Sequence, residues 1–244
     1  MNQKVKDQEE RTEETRLCYL CGKLLCPPTN VDHVPMQQLW TPEIRKLHSP
    51  NLVTIKVHKS CNQLYQLDEE YFVASIMPFS KGTYAGESHY RKLAVEVASK
   101  LKAPLKIRIL REFDFRPSEL HLPKGKVAKR FDSIRFNRVL WKIVRGLHFL
   151  HFHEVLPHDL TIYHDISIDE PPEHFKIAMS QPDFVEHGSY PGVFAYRFAE
   201  FGRPNRVHYW AMLFLDRVIA MVWFHHPNCE CGICIASKSN CQRA

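Results

Sequence analysis

The chain lacks any apolar run of the roughly 18 residues a membrane helix requires, which excludes a helical span. Its opening, MNQKVKDQEERTEETR, lacks the apolar centre of a secretory signal, so the cytoplasm is the expected location. Internal repeats and low-complexity tracts are missing as well, which excludes a solenoid or a collagen-like chain. With 44% hydrophobic and 25% charged residues, the composition is that of a folded globular protein and not of a disordered chain or coiled coil. The 244 residues are enough for one large or two small domains with a genuine core. Eight cysteines in a chain expected to meet a reducing compartment point to metal ligands more than to disulfides.

The net charge of +6 hides a partition. Residues 1–16 carry −1, residues 17–78 are neutral, residues 79–148 carry +11 and residues 149–244 carry −4. A local excess of that size suits a polyanion, because each phosphate contact releases a counterion. A solvated basic helix face would carry the same charges.

The expected fold is α+β. Residues 1–16 read as a charged flexible tail, residues 17–78 as a compact Cys/His module, and residues 79–244 as a second α+β domain, basic and helical first, strand-rich later. Pro78–Gly86 looks like the linker. A helix fits Glu87–Lys102, closed by Pro104, and the alternation in Lys106–Phe113 reads as a strand. The strongest helix is Ser133–His153, capped by Asp132 or Ser133. There Phe136, Val139, Leu140, Ile143, Val144 and Leu147 form one apolar stripe. Its other face carries Arg135, Arg138, Lys142 and Arg145. With the run Lys124, Lys126, Lys129 and Arg130, these are the candidate phosphate contacts. Leu160–Ile168, His174–Ser180, Val193–Glu200, Val207–Leu215 and Arg217–Phe224 read as strands of an antiparallel sheet. Asp216-Arg217 is the expected hairpin turn between the last two.

The segment from Cys18 to Phe72 carries the chemistry. It opens with Cys18-x-x-Cys21 and closes with His58-x-x-Cys61, two half-sites with the spacing of a tetrahedral zinc site. Buried reduced thiols are the plainer reading. Between the half-sites lies Asp32-His33, and Asn62 follows Cys61. On a strand, Asp32 and His33 point to opposite faces. Asp and Asn oxygens suit a hard divalent ion such as Mg2+ or Mn2+, and a neutral histidine beside it can act as a base for water. Taken singly, Asp32-His33 reads equally as a turn and Asn62 as a helix cap.

In this order, Cys-x-x-Cys, Asp-His, an Asn-Leu pair at Asn51, a second half-site and a ligand type directly after it resemble the HNH endonuclease family. The likeness is to its zinc-stapled ββα-metal form and covers about residues 17–76. The resemblance implies that His33 is the general base and that Asp32 and Asn62 hold the catalytic ion. It implies that Asn51 orients the histidine and that Cys18, Cys21, His58 and Cys61 bind structural zinc. Asn62 stands where the family more often has histidine. The implied substrate is DNA, with 5′-phosphate and 3′-hydroxyl products. RNA cleavage, or a non-catalytic zinc module that binds nucleic acid or protein, are the alternatives. Cys26 is expected to pack or lie at the surface. A tail cluster of His225, His226, Cys229, Cys231, Cys234 and Cys241 holds a Cys231-x-x-Cys234 pair; an exposed, disordered terminus is expected over a second zinc site.

Overall fold

Two hydrophobic periods, 3.6 and 2, become a long helix and an antiparallel sheet that bury their apolar sides against each other. The computed structural model describes residues 17–48, 52–98, 103–114, 127–158, 160–180, 185–202, 206–232 and 234. Strand β1 (Thr29–His33) pairs antiparallel with β2 (Thr54–His58), with Asp32 opposite Ile55 and His33 opposite Thr54. Helix α1 (Pro42–His48) lies in their connection, and α2 (Lys59–Gln63) and α3 (Gln66–Ile76) follow β2. Next come α4 (Tyr84–Ala98), α5 (Ala103–Arg111) and a short ladder of β3 (Phe113–Asp114) with β4 (Ala128–Lys129). Helix α6 (Ser133–Phe152) precedes β5 (Ile162–Ile168), α7 (Glu173–Met179), β6 (Val185–Tyr190), β7 (Phe194–Phe201), β8 (Val207–Phe214) and β9 (Val218–His225). The five-stranded sheet runs β5–β9–β8–β7–β6, antiparallel throughout. The fold is therefore α+β, and no helix of the described residues is long and apolar enough to cross a membrane.

The sheet shows why it folds. Trp210, Met212 and Phe214 of β8 and Val218, Ala220, Val222 and Phe224 of β9 enter the main core. The residues between them, Ala211 and Met221, with Tyr209, Ile219 and Trp223, face a smaller cluster closed by Phe175 and Met179 of α7. That is strict alternation with both faces covered. Helix α6 is the pin of the main core. Asp132 caps it by accepting the Arg135 N–H at 3.3 Å, and His153, at φ 56°, ends it. Every residue from Val139 to Phe149 is buried, as expected of a helix surrounded by other elements. The ring of Phe72 on α3 lies 4.5 Å from Phe136 on α6 and 5.2 Å from Phe214 on β8. One apolar cluster thus runs from the Cys18–Cys61 segment to the sheet. At Gly146, α6 passes close to Val34: a Cβ there would stand 2.7 Å from its Cγ2.

Several local expectations are corrected. Lys106–Phe113 is not a strand: Ala103–Arg111 is helical, with Pro104 near its start, where a missing N–H costs nothing. Its alternation hides the four-residue step from Leu105 to the buried Ile109. His174–Ser180 is not a strand either, since α7 covers it. Strand β6, absent from the sequence reading, forms the sheet edge. The turn between β8 and β9 centres on Leu215 and Asp216, both at positive φ, and Arg217 N–H closes it on Phe214 O at 3.1 Å. Pro78–Gly86 is no loose linker. Ser80 and Ala85 are buried, and a Cβ on Gly86 would collide with the Ser80 carbonyl. Residues 1–16 lie outside the described residues.

Candidate metal centre and the adjoining polar pocket

The first half-site is a knuckle. Gly22, at φ 72°, lets the chain turn back so that Cys21 and Gly22 N–H groups both donate to Cys18 O, at 3.1 and 2.7 Å. The second half-site takes His58 from the end of β2 and Cys61 from the first turn of α2. His58 Nδ1 lies 3.3 Å from Cys21 Sγ and 3.9 Å from Cys61 Sγ. A tetrahedral zinc with ordinary Zn–S and Zn–N bonds has N···S edges of about 3.5 Å. The other ring nitrogen, Nε2, lies 3.0 Å from Leu24 O and 3.1 Å from the Cys26 backbone N, so an acceptor and a donor both face it. Cys18, Cys21, His58 and Cys61 together could hold a zinc ion. Burial, then the neighbouring Cys21 and Cys18 thiols, push the Cys61 thiol up to about 12; a central dication removes that resistance to ionisation. Cys26 is exposed and touches His58 from the Nε2 side at 3.5 Å, outside the ligand set.

A second Cys/His cluster closes at the end of β9. His225 Nδ1 lies 3.3 Å from Cys229 Sγ and 3.4 Å from Cys231 Sγ, and Cys234 joins them. These four could hold a zinc ion, which corrects the expectation of a loose thiol-bearing terminus. His226 turns elsewhere, and Cys241 lies outside the described residues.

Beside the first cluster, Asp32 and His33 sit on β1 and face opposite sides, as strand geometry requires. Asp32 is buried and His33 half-buried. Burial holds the His33 imidazole below its ordinary pKa; Asp32 opposes this, while Arg45 and Lys142 add to it. His33 is therefore neutral near pH 7, the form that accepts a proton. Asn62 lies on α2; its amide donates to Val31 O at 3.2 Å. Asn51 lies outside the described residues.

The pocket between Asp32 and Asn62 contains a side chain that sequence spacing did not place there. Lys142, 110 residues away on α6, donates to Asp32 Oδ1 at 2.7 Å. It also donates to Glu69 Oε1, and its Nζ is 3.5 Å from Asn62 Oδ1. An ammonium has three protons, and three oxygens face this one. The Tyr19 hydroxyl donates to the other Asp32 oxygen, and Gln38 donates to the other Glu69 oxygen at 3.0 Å. Burial raises the Glu69 carboxyl above the usual carboxylate range, and Lys142 opposes that shift. A Mg2+ or Mn2+ ion held by Asp32 and Asn62 does not fit this arrangement. Bound to Asp32 Oδ1, which is 2.7 Å from the ammonium, it would lie within about 5 Å of that charge, a repulsion of roughly 7 kcal/mol or more at an effective dielectric of 20. The expected catalytic divalent ion is corrected on that ground.

The expected DNA-facing stripe on α6 is corrected too. Lys142 and Arg145 are buried. Arg145 donates to the carbonyls of Tyr19 at 2.6 Å, Leu20 at 3.2 Å and Leu156 at 3.0 Å. Arg135 and Arg138 share Asp68, at 2.6 and 2.8 Å. Lys129 pairs with Glu112 with its side chain covered, and exposed Arg130 lies 3.4 Å from Asp114. Lys124 and Lys126 lie outside the described residues. Lys129, Arg135, Lys142 and Arg145 are thus used inside the molecule, whereas Arg130 and Arg138 stay exposed beside their carboxylates. Glu69, Tyr19, Arg45 and Lys142 join the site without any local motif; Lys142 shares the basic register of Arg135, Arg138 and Arg145, and nothing local singles it out.

Compared with family models, with curated proteins and with solved structures, the chain gives no match.

Proposed function

We propose that the chain is a phosphodiester-hydrolysing endonuclease of the HNH kind, acting on DNA. One observation carries the reading. A Cys/His cluster fit for zinc braces a β-hairpin and helix, and the hairpin presents a half-buried imidazole, His33, on the strand face opposite Asp32 and within the electrostatic reach of Arg45 and Lys142. The zinc is structural, taking the part a larger core would play in so short a segment. His33 removes a proton from water. The water oxygen bonds to phosphorus, the P–O3′ bond breaks, and its electron pair leaves with O3′. That oxygen takes a proton from solvent, giving 5′-phosphate and 3′-hydroxyl ends. Arg45 and Lys142 depress the His33 pKa through their charge, and the same charge favours an approaching phosphate. Lys142 positions Asp32 and Asn62; no step passes through a divalent ion.

Nicking of supercoiled plasmid by zinc-loaded full chain, lost in His33→Ala with zinc content unchanged, supports this reading. Equal nicking by both proteins removes His33 as the base. The filled Asp32 pocket favours a second reading, a non-catalytic zinc module that binds nucleic acid or protein. That reading gains if the wild type cleaves neither plasmid nor labelled RNA under any metal. Cleavage of RNA alone transfers the activity to RNA.

A further inference from the structure

A third set of ligand types lies in the main core, away from both cysteine clusters. His148 projects from α6, His208 from β8, and His226 follows β9; all three are buried, the first two completely. Their ring centroids are 5.2 Å (His148–His208), 5.6 Å (His208–His226) and 6.2 Å (His148–His226) apart. One ring nitrogen from each lies within 4.8 Å of the others.

The hydrogen bonds assign the protons. His148 Nδ1 is 3.3 Å from Glu154 O, which can only accept, so Nδ1 bears the proton and Nε2 a bare lone pair. That Nε2 is buried with no partner. His208 has no hydrogen bond at either nitrogen, and the Glu200 carboxylate stands 3.7 Å from Nε2. His226 accepts the Asn228 N–H at Nδ1 at 3.2 Å, and its Nε2 is 2.9 Å from Glu154 Oε2. The rest of the wall is aromatic: Phe152 is 4.6 Å from His148, and Phe224 stacks on His208 at 5.0 Å. Three imidazoles sharing an apolar pocket, two with unsatisfied nitrogens, need an ion or an ordered water.

We infer that His148, His208 and His226 bind one divalent transition-metal ion of the zinc class, His226 through the Nδ1 lone pair that now accepts the Asn228 N–H, while its Nε2–H keeps the Glu154 carboxylate behind it. Imidazole nitrogen is a ligand for zinc, copper, iron and nickel, whereas Mg2+ and Ca2+ prefer oxygen. The contacts behind two of the rings match the usual support of a ligating histidine: a carbonyl behind His148 and a carboxylate behind His226. The rings are closed off from solvent, so the ion ties α6 to strands β8 and β9 and does not turn over substrate. His225 and His226 are consecutive, so the tail cysteine cluster and this pocket are joined through one peptide bond while facing different ways. The inference is independent of the nuclease reading.

The test uses full-length protein expressed with zinc, its metal content measured by plasma mass spectrometry. His208→Phe keeps the ring and removes both nitrogens. The expected result is one fewer ion per chain, an unchanged circular dichroism spectrum, and a lower melting temperature. A folded His208→Phe with the wild-type metal count and an equal or higher melting temperature overturns the inference, since Phe would then only have relieved two orphan nitrogens. Should that variant not fold, Glu154→Gln, at a half-exposed side chain, provides the second measurement. It should release one ion to a chromogenic chelator about tenfold faster than the wild type. Identical release from both proteins counts against the site. Cobalt-substituted wild type should show one sulfur-free site beside the thiolate bands; thiolate sites alone would also overturn it.

Discussion

Lys142→Met removes the ammonium that pairs with both buried carboxylates of the pocket, Asp32 and Glu69. Asp32 and Glu69 have side chains only 5% and 7% exposed, and Lys142 itself is 3% exposed. Breaking a buried ion pair from one side leaves uncompensated charge and costs roughly 3–5 kcal/mol. A chain of this kind has about 5–15 kcal/mol of stability, so the loss is a large fraction of the whole. Urea unfolding of the zinc-loaded protein at pH 7 measures it as a lower midpoint at unchanged slope. The pH dependence has a definite sign. Burial already raises Glu69 above the ordinary carboxylate range, and removing the ammonium raises it further. A carboxyl raised in the folded state contributes stability at low pH that is lost as pH rises through its folded value. The Lys142→Met deficit is therefore largest at neutral pH and shrinks on acidification. Adding Glu69→Gln recovers part of it, because one bare carboxylate is gone. The emptied pocket should also gain a Mn2+ site visible by paramagnetic resonance, absent from the wild type. A loss below about 1 kcal/mol, or Mn2+ bound by the wild type and released by Asp32→Asn, would refute the place given to Lys142.

Three further outcomes follow from the same geometry. Because burial lowers the His33 pKa, the acid limb of the kcat/KM profile for cleavage should lie below the ordinary imidazole value of about 6.5; a limb above it contradicts the assignment. Cys61→Ser should cost one zinc per chain and unfold residues of β1, β2 and α2 first, read by amide exchange; retention of that zinc would show the ligand set is wrong. Gly146→Ala pushes a methyl against Val34 and should destabilise by roughly 1–3 kcal/mol, measured as a shift in urea midpoint.

What the sequence made legible was local. The Cys18/Cys21 and His58/Cys61 half-sites, the apolar stripe of α6 and the alternation of β8 and β9 depend on neighbours within a few residues. The structure has them at those positions. The Lys106–Phe113 reading failed because a short segment with isoleucine at alternate positions satisfies both periods; only the burial of Ile109 separates them. The basic stripe failed for a different reason. Arg135, Lys142 and Arg145 look solvent-facing on a single helix, but Asp68, Asp32 and the Tyr19 and Leu20 carbonyls meet them from far along the chain. The Asp32 pocket was misread in the same way: two oxygen donors suggested an absent metal, and the cation came from 110 residues downstream. The tail ligands were legible as a cluster with a Cys231-x-x-Cys234 pair; what the spacing did not give is that β9 ends at His225 and holds its ring beside the thiols.

The measurement that bears most directly on the account is single-turnover cleavage of an end-labelled DNA duplex by zinc-loaded wild type and by His33→Ala, with and without added Mg2+. The account predicts cleavage by the wild type without Mg2+, 3′-hydroxyl products, and none from the variant at full zinc content. Cleavage that strictly requires Mg2+, or that survives the loss of His33, would contradict it.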